Sequence, residues 1–455
     1  MTALSNAGTD IVVVVVALGA MVFIHELGHF LAAKWMGVRV LTFSFGFGKR
    51  LFGVKGGHFS FGQLQDQQEG STDYRVSLLA LGGYVKMAGE DPSQPQRGDG
   101  GEFLSRPRWQ RFLIVFMGPV MNVVLAVVLL TGLYRFHYEE MAYEEQAVRI
   151  GEVAPDSPAY RDGVRPGDLV TRLGNLVNPR WEDVEVKVAM SPGETLPLEV
   201  VRGGETRQME ITPRPEGRDQ LGYVGWAPCV PALVDLVEPG SPASQAGLKP
   251  GDHITALAGR SILCWQDLAP ALERGQGRPI RLTLTRAGKN LEVSLTPAFG
   301  DVMGQKKWHI GVSLRDVTIR KLTWSQAVRA SLEENVRTCS LTFAALGKIL
   351  TRQMSARSLT GPIGMAQMSG EAYRAGITEL LSVSAGLSLE LGIFNLLPVP
   401  ILDGGVILLL LIEAVIRRDL SLAVKERVVQ VGLALLLLLT VFVMYNDLLK
   451  TFKPY

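Results

Sequence analysis

Near its C-terminal end the chain carries a run, Val429 to Tyr445, made mostly of Leu and Val and free of charge. A helix crosses the hydrocarbon core of a bilayer with roughly 20 apolar residues, and the flanks of this run extend it to that length, about 429–449. Three earlier segments, about 10–33, 112–134 and 377–397, match it in length and apolarity. A bilayer offers no water to backbone polar groups, so four such segments predict a bundle of membrane helices. A shorter apolar piece, Gly404 to Ile416, is too brief to span and reads as a partial or interfacial helix. The first run lacks a basic leader and a small-residue cleavage site, and it reads as a retained helix rather than a signal peptide.

Charge placement predicts the orientation. No Lys or Arg precedes the first span, whereas Lys34, Arg39, Lys49, Arg50, Lys55, Arg75, Lys86, Arg97, Arg106, Arg108 and Arg111 follow it. The connection before the last span carries Arg417, Arg418, Lys425 and Arg427. Basic segments stay in the cytoplasm, so both termini and the long stretch 135–376 are expected outside. A net charge of +2 over 455 residues argues against a nucleic-acid partner, which needs a concentrated basic face. Cys229, Cys264 and Cys339 have no zinc-finger spacing, and the sequence leaves open whether Cys229 and Cys264 pair.

The first apolar run, Ile11 to Ala33, contains His25-Glu26-Leu27-Gly28-His29. On a helix, histidines four residues apart project from one face, so both imidazoles can reach a single zinc ion with Glu26 beside the metal. Ionisable groups at membrane depth are costly and seldom lack a use, which favours the chemical reading over a chance match. His58, His137, His253 and His309 have no partners at ligand spacing and read as surface or loop residues.

Between the first two spans, Phe43 to Gly48 and Gly82-Gly83-Tyr84 are punctuated by glycine. Alternation in Tyr74 to Leu78 and in Tyr84 to Met87 predicts short strands. A hairpin dipping into the membrane and an ordinary cytoplasmic hairpin both fit this pattern. Glu90 to Gly101 reads as a surface loop. Farther on, Ser157-Pro158-Ala159 with Gly163-Val164-Arg165-Pro166-Gly167-Asp168 recurs as Ser241-Pro242-Ala243 with Gly247-Leu248-Lys249-Pro250-Gly251-Asp252, 84 residues later. Each copy continues into alternating strands, and the repeat resembles PDZ domains, which bind an extended peptide at a sheet edge. Leu322, Leu332, Val336, Phe343 and Leu350 then recur near helical spacing, as in an amphipathic segment at the outer membrane surface.

The second informative stretch runs from Leu391 to Gly405 and contains Asn395-Leu396-Leu397-Pro398-Val399-Pro400-Ile401-Leu402-Asp403-Gly404-Gly405. Pro398 and Pro400 break the third span. Spans one and three run in the same direction, so Asp403 can reach the depth of His29. Two histidines, one carboxylate and an open position for water make the ligand set of a catalytic zinc site. Asn395 reads either as a donor to a substrate carbonyl or as a buried amide tying helices together. Two competing readings keep the metal. A protease cutting outside the bilayer has no need of Asp403 on a broken span, and a PDZ scaffold with a structural zinc has no need of Glu26.

With these residues assembled, the chain resembles the site-2 protease family of intramembrane metalloproteases, over essentially its whole length. The resemblance implies one zinc ion per chain on His25, His29 and Asp403, and Glu26 as general base. It implies that Asn395 helps to hold substrate and that the glycine-rich 40–90 region, including Gly83, Tyr84 and Val85, offers an edge strand to an unwound substrate helix. Expected partners are the lipid bilayer and single-span proteins such as an anti-sigma factor or remnant signal peptides. The expected setting is a bacterial inner membrane, with the site near the cytoplasmic side and a PDZ pair outside that screens out bulky substrates. The fold class is therefore a multi-pass α-helical membrane protein with a membrane-associated β-structure and two tandem extracytoplasmic PDZ domains. The expected divisions are 1–36 (first span), 37–110 (β region), 111–136 (second span), 137–220 and 221–312 (PDZ copies), 313–375 (amphipathic segment), 376–418 (third span with L-D-G-G) and 419–455 (fourth span and tail).

Overall fold

The computed structural model describes residues 2–63, 71–91, 99–141, 143–144, 146–217, 219–302, 305–314 and 317–452. Of the surface loop expected over Glu90 to Gly101, residues 92–98 lie outside the described residues. The chain forms two units, one of residues 1–137, 321–347 and 359–455, the other of residues 138–320 and 348–358.

The first unit is built on helices α1 (Thr2–Trp35), α2 (Arg108–Phe136), α3 (Trp324–Leu350), α4 (Pro362–Ala375), α5 (Ile377–Asn395), α6 (Asp403–Ile416) and α7 (Leu422–Phe452). Four of them, α1, α2, α5 and α7, are long and apolar enough to cross a membrane. Leu433, Leu437, Leu438 and Val441 of α7 are all exposed, an apolar surface of the kind that hydrocarbon covers. The short α6 is the partial helix expected from Gly404 to Ile416. In α3, Leu332, Val336, Phe343 and Leu350 are exposed, whereas Leu322 lies before the helix and its N–H donates to Tyr134 O.

Close approach fixes the crossings. A Cβ at Gly28 of α1 would collide with Met117 O of α2, so a side chain there would drive the two helices apart. Gly392 of α5 lies against Pro119 and Asn122 of α2, and Ser388 Oγ donates to Asn122 O at 2.9 Å. Helix α4 packs on α1 and α5. Its free N-terminal N–H groups are satisfied by Asp447 near the end of α7, which accepts from Gly361, Ile363 and Gly364 at 3.0–3.1 Å.

Between α1 and α2 lies a sheet of β1 (Val40–Lys55), β2 (His58–Phe61) and β3 (Asp73–Met87). The short strands expected at Tyr74 to Leu78 and Tyr84 to Met87 belong to this one long, bulged β3. Thr42 pairs with both Asp73 and Lys86, so the start of β1 is flanked on both sides by β3. Across the sheet the order is Gly83–Met87, Val40–Phe45, Asp73–Val76, Phe52–Lys55, His58–Phe61. Gly46 (φ 91°) and Gly82 (φ 113°) adopt backbone angles that other residues resist, and they let each strand turn back without leaving the ladder. Gly83–Met87 is thereby an edge strand, and β3 packs along α1.

The second unit contains the repeat as two four-stranded sheets with the same strand order. Val170, Leu173, Leu198 and Val200 of the first copy and Ile254, Leu257, Leu282 and Leu284 of the second fill equivalent core positions. The motif aspartates are fully buried: Asp168 accepts from Arg202 and Asp252 from Arg286, each at 2.6 Å. Burial alone would raise the Asp252 pKa, but the Arg286 guanidinium outweighs it and holds the carboxyl below its ordinary value. Pairing with the first copy continues beyond the division expected at 220. Trp226–Pro228 pairs with Ile150–Val153 of the first copy, and the second opens with Val234–Val237 paired to Val312–Leu314. A Cys229–Cys264 disulfide ties the link after Pro228 to the second copy, with Cα atoms 5.0 Å apart.

Candidate active site

His25 and His29 project from one face of α1, with ring centroids 4.8 Å apart. The third member arrives from the break after α5. Pro398 and Pro400 end the helix, Ile401 takes φ 91°, and α6 restarts with Asp403 as its first residue. A φ in that region is strained for a β-branched residue, and it aims the new helix start inward. The two glycines after Asp403 have a steric reason: a Cβ on Gly404 would strike Leu397 O and Leu396 O, and one on Gly405 would strike Val399 O. The L-D-G-G sequence thus packs the start of α6 directly onto the loop that precedes it.

Asp403 Oδ2 lies 2.9 Å from His25 Nε2 and 3.5 Å from His29 Nε2, and the two Nε2 atoms are 3.2 Å apart. Both histidines are buried. Although Asp403 Oδ2 is within ion-pair range of both rings, neither contact is aligned as a hydrogen bond and the oxygen is otherwise without a partner. Three ligand atoms thus converge on one point. His29 Nδ1 lies 2.9 Å from Ile114 O, which only accepts, so Nδ1 carries the proton and Nε2 keeps a free lone pair. Two neutral nitrogens and one carboxylate fit a zinc ion and leave a fourth position open. This trio is the one metal-competent group among the described residues, and it does not include His58, His137, His253 or His309.

Glu26 stays outside the trio. Its Oε2 accepts the Val85 N–H of the edge strand at 3.0 Å, which fixes the carboxylate beside the histidines. Gly83, Tyr84 and Val85 thus border the site. Phe43 and Ser44 of β1 pair with Val85 and Tyr84, and the Tyr84 ring stacks on Phe47 at 6.0 Å. Two residues on, Met87 N–H donates to Glu90 Oε2 at 3.1 Å. Asn395 is the last residue of α5 and half-buried, and it does not join the trio.

Sequence reading passed over two residues of α2. A Cβ on Gly118 would meet both imidazoles, colliding with His29 Nε2 and lying 2.8 Å from His25 Nε2. Asn122, fully buried one turn later, places Nδ2 3.2 Å from His25 Nδ1. The available signal was Gly118-Pro119 and a polar Asn122 inside an otherwise apolar span. Gly118→Ala is expected to weaken zinc binding by at least about 10–100-fold, the cost of disturbing a ligand's support. Competition of the purified variant against a chelator measures this, and wild-type affinity would show that α2 can move aside.

The sequence matches the family described as Peptidase family M50 over residues 13–439. A "Putative zinc metalloprotease" of Treponema pallidum is 30% identical over 96% of this chain and 98% of its own length. "Regulator of sigma-E protease RseP" of Salmonella typhimurium is 30% identical over 95% of this chain and 97% of its own. The Escherichia coli protein of the same name is 28% identical over 96% and 98%.

Proposed function

The chain belongs to peptidase family M50, and as a zinc metalloprotease of site-2 type we propose that it cuts single-span membrane proteins within the bilayer. The supporting observation is the meeting of His25 and His29 of α1 with Asp403 at the start of α6, with Glu26 tied to a sheet edge. In this reading the trio holds one zinc ion, and zinc when bound supplies a Lewis acid that brings the pKa of its water to about 7. Glu26 accepts the proton from the attacking water and returns it to the leaving amine. Val85 N–H orients Glu26 for both transfers.

A membrane helix hides its amides in its own hydrogen bonds, so cleavage requires local unwinding. Pairing with Gly83–Met87 replaces the broken bonds, and Gly83, Tyr84 and Val85 take the substrate as an added strand. Asn395 donates to a substrate carbonyl. The names of the relatives support anti-sigma-factor-type substrates, and remnant signal peptides present the same single apolar helix. We place the protein in a bacterial inner membrane, the trio toward the cytoplasm and the repeats outside as a PDZ pair that excludes bulky substrates. The Cys229–Cys264 bond favours that side, since structural disulfides persist in oxidising compartments.

The test is a single-span reporter offered to the purified protein. Cleavage is expected to stop with a chelator and return with zinc. Met87→Pro removes an edge N–H that Glu26 does not use and is expected to slow cleavage of a helical span more than that of a pre-extended peptide. Equal slowing of both would point to misfolding and against strand pairing.

A further inference from the structure

We propose that Asn122 is a positioning residue that fixes the tautomer and the angle of His25, resting on the reading of His25 as a zinc ligand. Of the two histidines, His29 has its outer nitrogen committed to a backbone carbonyl. The matching nitrogen of His25, Nδ1, faces no carbonyl. Its neighbour is the carboxamide of Asn122, on a residue with no exposed surface. As placed, Nδ2 faces the ring at 3.2 Å while Oδ1 is buried without a partner. A half-turn of the amide exchanges two atoms of nearly equal size and puts the acceptor against the ring.

The chemistry of His25 selects that second orientation. With Nδ2 donating to Nδ1, the ring proton would sit on Nε2, and Nε2 would have no lone pair for the metal. With Oδ1 accepting, Nδ1 carries the proton and Nε2 turns its lone pair toward Asp403 and His29. The residue is held from the far side at its main chain, where Ser388 Oγ of α5 donates to the Asn122 backbone O at 2.9 Å, and Gly392 of α5 lies beside its Cβ. Each histidine then has one acceptor on its outer nitrogen, both supplied by α2: a main-chain carbonyl for His29, a side-chain amide for His25.

The test measures zinc affinity of the purified full chain by chelator competition, with no substrate present. Asn122→Ala and Asn122→Leu are expected to bind zinc about 10–100-fold more weakly. Asn122→Asp, which can only accept while ionised, is expected to hold zinc at least as tightly as wild type. Ser388→Ala, which removes a bond to the Asn122 main chain and leaves the carboxamide in place, is expected to stay within about threefold of wild type, well short of the loss expected for a ligand's support. Wild-type affinity in Ala and Leu overturns the proposal, as does an Asp variant as weak as they are, since that pattern requires the amide as donor or as filler. Should one deletion variant fail to fold, the other is compared with Asp. His25→Ala, run alongside, separates the two levels. If it keeps zinc, the ligand assignment fails; if it loses zinc while Asn122→Ala does not, only the positioning role fails.

Discussion

Asp403→Ala, purified in detergent, is expected to keep its helices, to lose zinc and to cleave nothing. A carboxylate among apolar helices carries a large desolvation cost unless a charge or a metal compensates it. Here its Oδ2 is aimed at two imidazoles that do not satisfy it. Removal of a ligand is expected to cost more than the roughly 10–100-fold that loss of a supporting residue costs. Asp403→Asn is expected to be inactive as well, since an amide brings no charge to the metal. Glu390, on α5, is the next acid on that span. Metal analysis showing Asp403→Ala fully loaded and Glu390→Gln empty would move the third ligand to Glu390 and the site deeper along the helix.

Glu26→Gln is expected to separate binding from chemistry. The glutamine is isosteric and still accepts the Val85 N–H, so the edge strand and the histidines keep their places. Zinc content stays at the wild-type level while turnover of a single-span reporter falls by about 10²–10⁴-fold, the range for loss of a placed base. Comparable turnover would remove Glu26 from that role. His58→Ala, at an exposed strand start, is expected to change neither reading. Membrane proteins that accumulate in cells carrying Glu26→Gln are the direct list of substrates.

The spans and the trio were legible in sequence because each rests on a strong local signal: sustained apolarity, a four-residue histidine spacing, two prolines that stop a helix. The direction of successive spans then carried His29 and Asp403 to one depth without any knowledge of packing. The β region was less legible. Alternation marks strand stretches, but it does not say that Asp73–Val76 and Gly83–Met87 lie on opposite sides of one partner. Asn122 and Gly118 were hidden for another reason. A span read for hydropathy is read as filler, whereas their roles depend on which turn of α2 faces His25. The Asp168–Arg202 and Asp252–Arg286 pairs were invisible too, because each joins a loop aspartate to an arginine at the end of a strand 34 residues on.

The clasp between Asp447 and the start of α4 bears on how the enzyme is born. In chain order the histidines come with α1, Asp403 with α6 and Asp447 only with α7. Until α7 is inserted, the free N–H groups of α4 have no partner, and α4 is the helix that packs on α1 and α5. A chain interrupted between α6 and α7 thus carries both histidines and Asp403 but lacks the clasp on the start of α4.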